Sequence, residues 1–270
     1  MSLALPSRRR LPFLLAGAAG LLAAPRLAVA AESTYYAETV KLNEIMARHV
    51  GNRRAPNGPA DERRIALTRA ALERAGKSPS APELVLVADR DPRVQEVSVI
   101  AMHPDERLSR VIGVGRTSTG NTGRFDYYVT PLGVFPHDVS ILGYRAQGTP
   151  NEHGIRGLGA RGMRVWDLGW QPARRGWASA TEVSPIRLMV HATDPNNLET
   201  RLGTVNSKGC IRVVSAMNTF LDTYGVLDRT YEKEAQTDRR FAGLLRRDRT
   251  PTPLAGNLVV VIDSSGDMRT

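Results

Sequence analysis

Residues 187–213 read RLMVHATDPNNLETRLGTVNSKGCIRV. The stretch opens as a strand, Arg187 to Val190, ending at His191. A polar loop rich in Asn, Asp, Thr and Gly follows, and then Ser207-Lys208-Gly209-Cys210-Ile211-Arg212. Cys210 is the only cysteine of the chain. It forms no internal disulfide, so it is either buried and inert or free and reactive. The flanking Lys208 and Arg212, with the polar loop, argue against an apolar burial site. A thiol attacks carbonyls as thiolate, and an ordinary cysteine with a pKa of about 8.5 needs a base or a cationic neighbour to ionise near neutrality. His191 ends a strand, a rigid launch point, and the loop to Cys210 is long enough to fold back. His191 is therefore expected to be the base. Lys208 and Arg212 bracket the sulfur with positive charge, so the expectation is a sulfur already ionised at rest. Gly209 allows tight backbone and close substrate approach. Backbone N–H groups around Gly209 and Cys210 are expected to hold an oxyanion. The pattern is that of acyl transfer through a thioester.

Working outward, the chain is strand-rich from Glu83 on: Leu84 to Ala88, Val94 to Met102, Arg110 to Val114, Phe125 to Thr130 and Arg187 to His191, with a last strand at Leu258 to Ile262. Gly115 to Gly123 and Asn151 to Gly162 are Gly-rich loops. The first has no P-loop lysine and no following helix, so it is not a phosphate cradle. Ser215 is read as the N-cap of a short helix whose Met217, Phe220, Leu221 and Tyr224 face a core. A basic helix is expected around Asp238 to Arg247. Two further helices, Glu32 to Val50 and Asp61 to Ala75, precede a Pro/Ser linker ending at Pro82. The fold class is mainly β with accessory helices.

The N-terminus has a basic head, Arg8 to Arg10, an apolar run Leu11 to Ala24 and Ala28-Val29-Ala30. This reads as a secretory signal cleaved after Ala30, with a weak twin-arginine hint. The apolar run is short for a membrane span, so no stable membrane insertion is expected after cleavage and the mature chain belongs in the periplasm or at the wall. The organisation is then 1–30 signal peptide, 31–82 helical accessory region and linker, 83–228 catalytic domain and 229–270 a C-terminal helix and strand. The formal charge is +10, and removal of the four arginines of the signal leaves +6. The basic residues are scattered and no nucleic-acid motif appears, so no nucleic-acid partner is expected.

These motifs together resemble the L,D-transpeptidases of the YkuD type. Fifteen residues separate His191 from Ser207, and the signature of that family is a His, a similar interval, and then [S/T]-H-G-C, a small apolar residue and usually Arg. Thr130-Pro131-Leu132-Gly133-Val134-Phe135 resembles the family's T-P-x-G-x-F segment, and Ser118-Thr119-Gly120 fits its S-T-G loop. The resemblance covers roughly Glu83 to Tyr224 and implies a YkuD-like β-sandwich or mixed-sheet catalytic domain. It implies that Cys210 carries the acyl-enzyme, that His191 is the general base, and that Ser207, Lys208, Gly209 and Arg212 line the oxyanion and substrate site. It implies no cofactor and no metal, with peptidoglycan stem peptides as donor and acceptor. Lys208 replaces the second His of the motif and Ala192 the Gly that often follows the first, so the linkage formed, 3-3 or 1-3, stays open. A carboxypeptidase or endopeptidase with the same site, and a non-catalytic wall-binding module, are the alternatives.

Other residues carry two readings each. Arg212 is a substrate carboxylate clamp or part of a structural salt bridge. Either Asp194 or a backbone carbonyl orients His191. Trp166, Trp170 and Trp177 form a binding wall or pack in the core. His137, His153, His191 and Cys210 lack the tight spacing of a zinc set.

Overall fold

The computed structural model describes residues 23–50, 58–179 and 181–265, with side chains from residue 32 onward. The export signal expected over 1–30 lies for the most part outside the described residues. Among the described residues no helix is long and apolar enough to cross a membrane.

The strands are β1 (Glu83–Asp89), β2 (Glu96–Met102), β3 (Arg110–Ser118), β4 (Gly133–Pro136), β5 (Tyr144–Arg145), β6 (Arg164–Arg174), β7 (Val183–Ala192), β8 (Ile211–Val213) and β9 (Leu258–Ile262). They form one mixed sheet in the order β4-β9-β1-β2-β3-β8-β7-β6-β5. β1 pairs antiparallel with β2 and parallel with β9, and β7 pairs parallel with β8. The architecture is thus mainly β with a few helices.

The central strands read as continuous apolar runs because both their faces are covered. Leu84, Leu86, Ala88, Val97 and Val99 enter one cluster with Tyr35, Leu42 and Met46 of helix α1 (Ala23–His49). Val85, Val87, Ile100 and Met102 enter a second cluster with Ala71 and Leu72 of helix α2 (Pro59–Arg74). Each fully buried Leu or Val contributes about 1.5–3 kcal/mol. β9 splits its residues the same way, Val259 and Val261 to the first cluster and Val260 and Ile262 to the second. The N-terminal helices and the last strand therefore share the cores of the sheet.

Two local expectations need correction. Residues 125–130 are not a strand. They form a flap that touches the end of β6 through Val129 N–H to Arg174 O (3.0 Å) and Gly176 N–H to Tyr127 O (2.7 Å), and Asp126 takes φ 62°. The aromatic run there packs on Trp177 instead of entering a ladder, with ring centroids 5.2 Å from Phe125 and 5.0 Å from Tyr128. Ser215 is not an N-cap. It is the first residue of helix α3 (Ser215–Thr223), and Val214 precedes it. The Glu199 carboxylate takes the capping role, accepting the Ser215 N–H at 2.6 Å, where a negative charge meets the positive end of the helix. The basic helix expected around residues 238–247 is α5 (Arg239–Leu244), with Asp238 as its N-cap; another helix, α4 (Arg229–Glu234), precedes it, and the two pack through Tyr231, Phe241 and Leu244.

Candidate active site

The register of the sheet assembles the site. Tyr144 pairs with Val165, Val165 with His191, His191 with Arg212, and Arg212 with Ser118. Paired residues share a face of a sheet, so this row runs across five strands on one side. Asp167 and Met189 form the next row on that side. Cys210, two residues before Arg212, enters it at the mouth of β8. On the other face Trp166, Val190 and Ile211 line up in the core. Two residues along a strand and one strand across place the Cα atoms of Cys210 and His191 about 8 Å apart; among the described residues the sulfur hydrogen-bonds to Arg187 O and not to the imidazole.

His191 is buried, and its Nδ1 lies 2.6 Å from Ala192 O. A carbonyl only accepts, so Nδ1 carries the proton and Nε2 is the basic nitrogen. Of the two orienting groups considered, the backbone carbonyl is the one in place. Asp194 instead accepts the N–H groups of Arg156 (2.8 Å), Asn196 (2.9 Å) and Asn197 (2.9 Å), which organises the loop after β7.

Cys210 is partly buried. Its Sγ lies 3.5 Å from Arg187 O, which takes the S–H. Burial pushes the thiol up to about 11, against the pull of the Met189 backbone N–H and of Arg212. Burial pushes His191 down to about 4, with the Arg212 charge acting in the same direction. At rest the pair is therefore a neutral thiol and a neutral imidazole, not the ionised sulfur expected from the sequence. One reason is that Lys208 is spent elsewhere: its Nζ pairs with Asp126 Oδ2 at 2.6 Å and lies 5.8 Å from the centre of the Tyr127 ring.

The turn that presents Cys210 is self-contained. Ser207 Oγ donates to Cys210 O (2.6 Å) and accepts the Gly209 N–H (3.0 Å). Ser207 is thus the brace of the turn, and the Gly209 N–H is already engaged. Gly209 has φ 127°, a backbone conformation that requires glycine there. Thr130 Oγ1 accepts the Gly120 N–H (2.8 Å) and donates to Gly209 O (2.8 Å). This one hydroxyl ties the S-T-G and T-P-x-G segments to the cysteine turn, and Gly120 passes so near Tyr128 O that a Cβ would sit 1.8 Å from it.

Arg212 is half-buried. Its Nη1 donates to Asn206 O (2.9 Å), its Nε is buried without a partner, and burial lowers its pKa.

Three neighbours of the sulfur were not singled out from the sequence. Met189 was legible by strand alternation, two residues before His191. Asp167 braces a bulge through Gly169 N–H (2.9 Å) and pairs with Arg187 Nη2 at 2.8 Å. Tyr144 sits on a strand too short to leave a pattern. Its hydroxyl donates to Met189 Sδ (3.1 Å), and burial, followed by the charge of Asp167, holds its pKa above the ordinary value. It is a protonated donor whose present acceptor is a weak thioether.

Trp166 belongs to the core, whereas Trp170 is 65% exposed with the Arg187 guanidinium 5.7 Å from its ring. His137 is buried with Nδ1 3.0 Å from Leu227 O, and His153 is exposed beside Glu152. Among the described residues no group of three or more His, Cys, Asp or Glu is placed to hold a metal ion. In comparisons with known proteins, the chain matches no family model and no curated sequence.

Proposed function

We propose that this protein is an L,D-transpeptidase of YkuD type, exported to the periplasm or wall, that joins peptidoglycan stem peptides through a thioester on Cys210. The observation that carries the reading is the placement of a lone cysteine on the same sheet face as a histidine whose Nδ1 is locked by Ala192 O. In this reading the proton moves only when a substrate arrives. Sγ attacks the stem-peptide carbonyl as Nε2 of His191 takes the thiol proton, forming the C–S bond. The oxyanion falls to the Cys210 N–H and to the Tyr144 hydroxyl, because the Gly209 N–H is held by Ser207 Oγ. His191 returns the proton to the leaving amine as the C–N bond breaks. An acceptor amine then attacks the thioester, gives a proton to His191 and frees the sulfur, which is reprotonated.

Hydrolysis by the same site, with water as acceptor, is the second reading, and binding without catalysis the third. Incubation of the protein with tetrapeptide-stem muropeptides, followed by mass analysis, separates them. Dimers are expected for transfer. Shortened monomers alone mean hydrolysis, and unchanged but bound muropeptide means a wall-binding module.

A further inference from the structure

Several inward-turned arginines of the fold meet carboxylates. Arg164 meets Asp228 at 3.2 Å, Arg64 meets Asp61 at 2.8 Å and Arg145 meets Asp222 at 2.7 Å. Around the candidate nucleophile the same holds for Lys208, which has Asp126 at 2.6 Å, and for Arg187, which has Asp167 at 2.8 Å. Arg212 does not, and neither does Arg69, which bonds to His103 O and Ser109 Oγ far from the cysteine turn. Among the described residues the one acceptor of Arg212 is the Asn206 carbonyl, at 2.9 Å, and its Nε, like those of Arg64, Arg69 and Arg164, is buried with nothing to donate to. A partly desolvated guanidinium without an anion is costly, and it becomes favourable when a ligand brings the anion. Arg212 also sits in the register row of His191, two residues from Cys210, so its side chain reaches about as far from the sulfur as one peptide residue extends.

We propose that Arg212 selects the donor: the site takes stem peptides with a free carboxylate within one residue of the attacked carbonyl and discriminates against the same stems in which that carboxylate is an amide. This rests on the acyl-transfer reading above. A carboxylate offers the planar guanidinium two acceptors in matching geometry. An amide offers one acceptor and turns an N–H toward the cation, so a buried donor stays unpaired. The carboxylate has two sources, the terminus of the departing residue and a side chain of the residue that becomes acylated.

The test uses the full protein and four synthetic tetrapeptide donors: both carboxylates free, only the terminal one amidated, only the side-chain one amidated, and both amidated. Thioester formation on Cys210 is followed by intact mass. The wild type is expected to lose about a hundredfold or more in acylation rate with whichever single amidation removes the recognised group. Arg212→Gln should react slowly and alike with all four donors, while alkylation of Cys210 by iodoacetamide changes less than tenfold. Arg212→Lys, which keeps the charge and loses the fork, should show an intermediate preference. Equal acylation of the wild type by all four donors overturns carboxylate selection and leaves the transpeptidase reading standing. Acylation by none overturns both. Equal slowing of acylation and alkylation in Arg212→Gln would mean that Arg212 serves the sulfur and not the donor, which also overturns the proposal.

Discussion

His191 gives its Nδ1 proton to the carbonyl of the next residue, Ala192, at 2.6 Å. A neighbour in the chain thus fixes the tautomer, and no carboxylate is needed behind the imidazole. Without a negative partner the buried ring has little reason to become cationic, and it is held down to about 4. The sulfur, pushed up to about 11, stays protonated beside it.

The first prediction concerns the resting thiol. Iodoacetamide should alkylate Cys210 at pH 7 about a hundredfold more slowly than an ordinary thiol, and the rate should keep rising beyond pH 9. Stopped-flow or mass-based alkylation from pH 6 to 10 measures it. A rate that is already at a plateau by pH 7 would mean an ion pair at rest and would contradict the neutral pair.

The brace of the cysteine turn gives a second prediction. Ser207→Ala leaves the Gly209 N–H and the Cys210 carbonyl without their partner, and Thr130→Val does the same to the Gly120 N–H and Gly209 O. Each should lower stability by about 1–3 kcal/mol. Each should also slow acylation of Cys210 by at least tenfold, because the sulfur is no longer held in place. Denaturant melts and intact-mass kinetics read the two effects. Wild-type acylation in either variant would show that the turn does not position the nucleophile.

Lys208 gives the opposite expectation. Its pair with Asp126 is exposed, with side chains 60% and 53% accessible. A double-mutant cycle with Lys208→Met and Asp126→Asn should return a coupling below about 1 kcal/mol that fades with salt. Lys208→His, which restores the residue of the resembled motif, should leave stability unchanged. A coupling of several kcal/mol would make the flap latch a structural element of the fold.

Stability should also fall on acidification. His137 and His191 are both pushed down to about 4 by burial. An unfolded chain binds protons at these rings near pH 6.5, whereas the folded chain does so only near 4. The contribution of the neutral rings is therefore present above pH 6.5 and is lost as the pH falls toward 4, by a few kcal/mol in total. Urea melts across that window test this, and a flat profile would mean that neither ring is desolvated.

Much of this was readable in the sequence because it is written in local pattern. The apolar runs of β1, β2 and β9 are buried on both faces, and β7 was legible as the strand that ends in His191. The apolar stripe of α3 was visible at helical spacing. What escaped was set by pairing across the chain. β6 and β8 exist because they flank β7 and β5 because it pairs with β6, and β5 and β8 are too short to show a period. The flap at 125–130 looks like a strand by composition, yet its rings settle on Trp177. The charge state of Cys210 is not legible locally, because Lys208 is a neighbour of the sulfur in sequence but turns to Asp126 in space. Tyr144 had no signal at all. It lies forty-seven residues before His191, and only the register brings the two into one row.

The central claim is that an acyl group is carried on Cys210, and intact-protein mass spectrometry tests it most directly. The protein is mixed with a tetrapeptide donor and quenched in acid before an acceptor amine is added. The expected result is a mass gain equal to the acyl fragment, mapped to the peptide containing Cys210, lost on addition of an amine acceptor and absent from Cys210→Ala. Cross-linked or trimmed muropeptides formed by the Cys210→Ala protein, with no adduct on the wild type, would contradict it.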